Sequence, residues 1–129
     1  MAARASTESQ RFPKERRLRR RSEFQHVFDL ALRASGRYLT VLVAPSSSGT
    51  SRLGIVASKK LGNSVKRNRA KRLIRQVFRR IPSLDDGAVL DIVVIPRREL
   101  FDAAYPSLET DFRGALRRSA ARLPRHDVR

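Results

Sequence analysis

The chain has 129 residues, a formal net charge of +17 and a sequence pI near 11.8, so nucleic acid is the first partner class to consider and an anionic membrane the competitor. It contains no cysteine and no run of 18 apolar residues, which excludes disulfides, cysteine-ligated zinc and a bilayer-spanning helix. The polar first ten residues lack the apolar segment of a secretory signal, and we expect one cytoplasmic domain.

Carboxylates are missing from the middle of the chain. No Asp or Glu stands between Asp29 and Asp85, whereas thirteen Lys or Arg do. A two-metal nuclease needs clustered carboxylates to hold its ions. His26 and His126 are far apart in sequence, and neither has a nearby acid in a recognisable pattern. We therefore expect this chain to carry no catalytic residue and no metal site.

The chain begins with a segment, residues 1–13, whose polar composition predicts a disordered tail. A single domain is predicted over 14–123, and a loose tail over 124–129. Seven basic residues between positions 11 and 21 accompany a single acid. This basic run is either a solvated tail or an arm that lies along phosphates.

A first helix is predicted from about Glu23 to Ala34. Ser22 and Gln25 have the spacing of a capping box, and Gly36 would end the helix. Its apolar face would be formed by Phe24, Val27, Phe28 and Ala31. On sequence alone, simple core packing is the first explanation for the two phenylalanines.

Two strands should follow this helix. Arg37–Ala44 is rich in β-branched and aromatic residues, and its alternation places Tyr38, Thr40 and Leu42 on one face. A turn-rich loop over residues 45–51 leads to a second strand at Arg52–Ser58, which is predicted to be the hairpin partner of the first.

A basic helix is the most informative element of the sequence. Ten Lys or Arg and no acid lie between Lys59 and Arg80, and Asn63 and Ser64 can cap a helix that starts there. One apolar stripe at helical spacing is formed by Ala70, Leu73, Ile74, Val77, Phe78 and Ile81. Solvated faces usually mix charges of both signs for i,i+4 pairing, so this unmixed face indicates an anionic partner.

The remaining elements complete one α+β domain. A break over residues 82–87 precedes an apolar strand at 88–95 that should be covered on both faces, and a short helical turn is predicted over 99–105. A last helix starting at Pro106 would bury Leu108, Phe112, Ala115, Leu116, Ala120 and Leu123. The order helix, strand, strand, basic helix, strand, helix predicts a single-domain α/β sandwich with helices on a mostly antiparallel sheet.

The residues from Ser58 to Arg75 resemble the signature of the bacterial ribonuclease P protein subunit. The match includes a Ser-Lys-Lys start, a Gly-Asn pair at 62–63, an Arg-Asn-Arg core at 67–69, a Lys-Arg pair at 71–72 and a further Arg. Leu18 followed by basic residues and Phe24 is also similar to the opening of that family's domain. The resemblance implies that family's fold, including a left-handed crossover through the basic helix, where general rules would predict a right-handed one.

The same resemblance implies that the protein has two RNA-binding surfaces and that the RNA subunit carries out the hydrolysis. The catalytic RNA of ribonuclease P would bind Lys59, Lys60, Arg67, Asn68, Arg69, Lys71, Arg72 and Arg75. The single-stranded 5′ leader of precursor tRNA would lie in a cleft lined by Phe24, Phe28, Tyr38 and Leu42. Hydrolysis would belong to the RNA and its bound Mg²⁺, and one protein would bind one RNA.

Two other functions are compatible with the charge. A ribosomal or general RNA-binding protein would explain the charge but neither the Arg-Asn-Arg signature nor the paired aromatic residues. A DNA-binding protein could place the basic helix in a major groove, but only Asn68 and Gln76 on that helix are typical base-reading residues.

Overall fold

The computed structural model describes residues 14–81 and 89–123, which form three helices and four strands. The helices are α1 (Arg21–Leu30), α2 (Ser64–Arg79) and α3 (Tyr105–Ala120). The strands are β1 (Arg33–Ser35), β2 (Leu39–Pro45), β3 (Arg52–Ile55) and β4 (Leu90–Pro96), with 3-10 turns at Lys14–Arg16, Lys59–Leu61 and Arg98–Asp102. The predicted tails at 1–13 and 124–129 and the predicted break at 82–87 lie outside the described residues, and the domain bounds stay a prediction.

The four strands form one sheet in the order β1-β2-β4-β3. β1 and β4 are both antiparallel to β2, and β3 is parallel to β4. The predicted α+β class and mostly antiparallel sheet are therefore confirmed. The predicted hairpin between the second and third of these strands is wrong, because β4 lies between them. β4 is almost entirely buried, and a strand apolar on both faces is best covered at a central position of the sheet.

The basic helix α2 is the connection between β3 and β4. Since these strands are parallel neighbours, a crossover through α2 joins them, as the resemblance implies. The left hand of that crossover stays a prediction.

The first helix is shorter than predicted. It ends at Leu30, and Ala31 adopts the left-handed conformation with φ 53°, so Gly36 does not terminate it. The following residues form β1, in which Ala34 pairs with Val41. The predicted extension to Ala34 is wrong because backbone pairing with β2 outweighs the helical preference of residues 31–34, which are all good helix formers.

The start of α1 also differs from the prediction. The carboxylate of Glu23 accepts hydrogen bonds from the backbone N–H groups of Arg19 (2.7 Å) and Arg20 (2.9 Å). Glu23, and not the predicted pair of Ser22 and Gln25, therefore supplies the reciprocal half of a capping box. These hydrogen bonds lower the pKa of Glu23, with Arg20 the larger cause.

The sheet separates two apolar clusters. On one face, Val27 of α1 packs with Leu18, Leu42, Ala44 and Val93. On the other face, α2 and α3 pack against alternate residues of the same strands, including Leu39, Val41, Val43, Ile92 and Val94. We call these sides the α1 face and the α2 face. No helix within 14–81 or 89–123 is long and apolar enough to span a bilayer.

Candidate nucleic-acid interface

The basic helix is built as its apolar stripe predicts. Ala70, Ile74, Val77 and Phe78 are buried, with the Phe78 ring stacked 6.5 Å from that of Phe112 in α3. Asn63 Oδ1 accepts from the backbone N–H of Lys66 at 2.9 Å, which confirms the predicted cap. These contacts fix α2 on the sheet and leave its other sides free for charged residues.

The residues predicted to bind the catalytic RNA lie along α2 and the turn before it. Lys59, Lys60, Asn68, Arg69 and Arg72 are exposed, whereas Arg67, Lys71 and Arg75 are half-buried. None of the seven cations among them forms an ion pair with a carboxylate in the described part of the chain. The structure therefore brings these residues together as one surface whose positive charge is not neutralised internally.

The C-terminal end of α2 is different. Arg80 Nε lies 3.9 Å from Glu109 Oε1, and its guanidinium lies 5.6 Å from the centre of the Tyr105 ring. Arg113 donates to the Arg80 carbonyl and to Glu109. Arg80 therefore joins α2 to α3, and its charge has a partner inside the protein.

The two phenylalanines lie on the α1 face, across the sheet from α2. Phe24 and Phe28 are half-buried and pack against the cluster around Val27. A Cβ atom on Gly54 of β3 would lie 2.5 Å from Phe24 Cε1, so the ring rests directly on the glycine backbone. Part of each ring is therefore buried in the core and part is exposed to solvent. This placement is compatible with core packing and with a role in a leader cleft.

The other two residues of the predicted cleft are placed differently. Leu42 is 1% exposed and belongs to the cluster beneath the phenylalanines, so it can support a cleft floor but offers no surface to a ligand. Tyr38 precedes β2 and packs against the cluster of the α2 face, and its ring lies 5.6 Å from the Arg37 guanidinium. The structure therefore joins Leu42 to the phenylalanine pair and leaves Tyr38 outside their cluster.

A charged network holds α1 to the sheet on this face. Arg52 of β3 donates two hydrogen bonds to Asp91 of β4, Nε to Oδ1 at 2.8 Å and Nη2 to Oδ2 at 2.7 Å. A third, from Nη1, reaches Glu23 Oε2 at 2.9 Å. The Asp91 side chain is only 2% exposed, and its hydrogen bonds raise the pKa of Arg52. The sequence offered no local signal for this network, because its members lie 29 and 39 residues apart.

The carboxylate of Asp111 also has structural partners. Asp111 of α3 accepts from the backbone N–H groups of Arg37 and Tyr38, at 2.8 and 2.9 Å. A side chain at Gly36 would collide with that carboxylate, at 2.5 Å, which gives this glycine a role other than the predicted helix end. No group of three or more His, Asp or Glu residues that could hold a metal ion occurs within 14–81 or 89–123.

Comparison with known proteins assigns this architecture to a family. The family model for Ribonuclease P matches residues 12–120. The Ribonuclease P protein component of Clostridium botulinum (strain Loch Maree / Type A3) is 36% identical over 97 residues, which cover 75% of this chain and 87% of that protein. The chain belongs to the bacterial ribonuclease P protein family. As a ribonuclease P protein component, it is part of a ribonucleoprotein endoribonuclease that processes tRNA.

Solved ribonuclease P proteins share the fold. The structure of the RNase P protein of Staphylococcus aureus superimposes with a TM-score of 0.68 at 30% identity, covering 79% of this chain and 93% of that one. The RNase P protein of Thermotoga maritima gives 0.69 at 33% identity, covering 79% and 96%. The arrangement of α2 on one face of the sheet and α1 on the other is therefore that of ribonuclease P proteins.

Proposed function

We propose that this chain binds the catalytic RNA of ribonuclease P through α2 and the 5′ leader of precursor tRNA through the α1 face. It thereby promotes endonucleolytic removal of the leader, which produces the mature tRNA 5′ end. The observation that carries the proposal is the placement of an internally unpaired basic surface and a half-exposed aromatic pair on opposite faces of one sheet.

The basic surface is suited to the phosphate backbone of a folded RNA. Arg67, Asn68 and Arg69 lie in the first half of α2, followed by Lys71, Arg72 and Arg75. Guanidinium groups can hold phosphate oxygens through two parallel hydrogen bonds, and the free N–H groups of a helix N-terminus favour anions. Binding should therefore weaken steeply with salt, because each neutralised phosphate releases counterions.

The aromatic pair is suited to single-stranded RNA. Phe24 and Phe28 are one helical turn apart, and each exposes part of its ring while the rest is held by the core. Bases can stack on such rings without sequence preference, at about 1–3 kcal/mol per base. A leader bound there would favour precursor tRNA over the processed product, which has no leader. Leu42 would form the floor of this cleft, whereas Tyr38, which packs on the α2 face, would lie outside it.

We assign the hydrolytic step to the RNA subunit and its bound Mg²⁺, with one protein per RNA. Three described carboxylates have structural partners: Glu23 and Asp91 pair with Arg52, and Asp111 accepts backbone hydrogen bonds. The protein's contribution is to hold both RNAs and to neutralise backbone charge, which lowers the Mg²⁺ concentration that the RNA requires. The protein would act in the cytoplasm, together with the precursor tRNA.

Cleavage of a 5′-extended precursor tRNA by a bacterial ribonuclease P RNA tests this function. At low Mg²⁺, we expect cleavage with this protein and the RNA together, and none with the protein alone. Tight RNA binding without stimulation of cleavage would favour a general RNA-binding protein. Cleavage by the protein alone would contradict the assignment of chemistry to the RNA.

A further inference from the structure

The segment before α1 lies along the β3 edge of the sheet. Leu18 N–H donates to the Leu53 carbonyl at 3.0 Å, and Arg17 forms a parallel bridge with the same residue. Leu18 is buried on the α1 face, against Gly54 and the cluster around Val27. Since neighbouring residues of extended chain point to opposite sides, Arg17 is directed toward the α2 face.

Two observations place this segment beside α2. The Arg16 guanidinium lies 5.0 Å from the centre of the Phe78 ring of α2. Arg17 acts electrostatically on Arg75, as does Arg79, which lies one helical turn further along α2. The pKa of Arg75 is lowered. Burial is the largest cause, followed by the positive charges of Arg17 and then of Arg79. The segment before α1 therefore brings the charge of Arg17 close enough to α2 to act on Arg75, and Arg79 follows Arg75 by one helical turn.

Arg17 and Arg75 carry charges that no carboxylate in the described part of the chain pairs. Arg17 Nε is buried, and no residue in 14–81 or 89–123 accepts a hydrogen bond from it. A buried donor without an acceptor destabilises the folded state, and neighbouring like charges add repulsion. The backbone pairing of the segment covers an open strand edge, but it does not require arginine at position 17.

We propose that Arg17, Arg75 and Arg79, called here the arginine seat, bind backbone phosphate of the catalytic RNA. The identity of this RNA rests on the proposed function. The seat lies on the α2 face, where it continues the basic surface of α2 beyond Arg75, whereas the phenylalanine pair lies across the sheet. Phosphate oxygens would accept from those N–H groups of the three guanidiniums that reach the surface, and would separate the three positive charges. The proposal adds Arg17, from a different element, and Arg79 to the RNA-binding set.

NMR of the arginine Nε–Hε groups tests the seat directly, with inorganic pyrophosphate as the probe. Saturable shifts of the Arg17 and Arg75 resonances are expected in the unmodified protein. Arg75→Gln with Arg79→Gln should weaken this response about tenfold or more, because charge-assisted hydrogen bonds are lost. The matched control, Arg33→Gln with Arg122→Gln, removes the same charge beside β1 and after α3 and should respond as the unmodified protein does. Absence of an Arg17 shift, or an equal loss in the control, would overturn the seat.

Binding to the catalytic RNA then separates the seat from the proposed function. Arg17→Gln should lower affinity for that RNA about fivefold to tenfold and flatten its salt dependence, by about 0.7–0.9 per lost phosphate contact. The ratio of precursor to mature tRNA affinity should not change. If the catalytic RNA binds but Arg17→Gln changes neither affinity nor slope, the seat is wrong while the function stands. Pyrophosphate binding at the seat without any binding of the catalytic RNA would refute the proposed function and the identity of the RNA partner. The seat would then remain an anion-binding site.

Discussion

The two faces of the sheet use arginine in opposite ways. On the α1 face, Arg52 is enclosed by two carboxylates and its side chain is 12% exposed. On the α2 face, Arg67, Arg69 and Arg72 have no carboxylate partner in the described part of the chain. The first arrangement contributes to folding, because it closes a charged network inside the protein. The second adds repulsion to the folded state and becomes favourable when an external anion arrives.

This difference teaches which charges to assign to structure and which to function. Arg80 has a similar sequence context to its basic neighbours, yet Glu109 and the Tyr105 ring engage it within the fold. A residue's surroundings in three dimensions, and not its membership of a basic run, therefore decide its role. Substitutions that remove the same charge from each face should have different consequences.

The largest expected effect is on stability, from Arg52→Ala. This change leaves the buried Asp91 without its partner, and breaking one side of a buried pair typically costs about 3–5 kcal/mol. Urea unfolding monitored by circular dichroism would measure the loss. Arg67→Ala is the matched control on the other face, and its unfolding free energy should change by no more than about 0.5 kcal/mol. Equal losses would contradict the distinction between the two faces.

Gly54→Ala tests how tightly Phe24 is placed. The added methyl group would lie 2.5 Å from Phe24 Cε1, so the ring must move away from β3. Overpacking of this kind costs about 1–3 kcal/mol, which urea unfolding would show. Gly49→Ala in the loop between β2 and β3 is a control for added side-chain bulk, because nothing lies within 4 Å of its Cβ position; its φ of 82° imposes a separate backbone cost. An unchanged Phe24 ring resonance in Gly54→Ala would argue against the contact.

Arg67→Ala with Arg69→Ala should weaken binding to the catalytic RNA about tenfold and reduce the salt slope by about 1.4–1.8, if each residue contacts one phosphate. Filter binding across a series of salt concentrations would measure both values. Arg33→Ala with Arg122→Ala removes the same charge from the opposite edge of the molecule and should retain most of the affinity. An unchanged slope in the Arg67 and Arg69 variant would refute docking through phosphates.

The smallest expected effect is a change in acid stability. Hydrogen bonds from Arg20 and Arg19 lower the pKa of Glu23 in the folded state. Its stabilising contribution is therefore present above the unfolded-state pKa, about 4.3, and is lost as the pH falls through the lower folded-state value. Glu23→Gln should be less stable at neutral pH and should lose less stability on acidification. An identical pH profile for the two proteins, measured by urea unfolding, would contradict this role for Glu23.

The sequence predicts local features of this fold well and pairings between distant residues poorly. The stripe of α2 and its Asn63 cap depend on residues within one or two turns, so periodicity reveals them. β1 escapes prediction because its three residues gain their structure from β2 and not from their own preference. The Arg52 network and the arginine seat escape it because their members come from different elements. The basic residues of α2 were identifiable because an unmixed charge run is itself unusual.

The central claim, that two faces bind two different RNAs, is tested most directly in the reconstituted ribonucleoprotein. The measurement is the affinity for precursor tRNA divided by that for mature tRNA. Phe24→Ala with Phe28→Ala should lower this ratio by about 5-fold to 150-fold for each base that loses its stacking partner. Val27→Ala, which weakens the same cluster but removes no exposed ring, should leave the ratio unchanged. Arg67→Ala with Arg69→Ala should also leave it unchanged once the complex is saturated with protein. An unchanged ratio in the phenylalanine variant, or an equal fall in all three, would contradict the account.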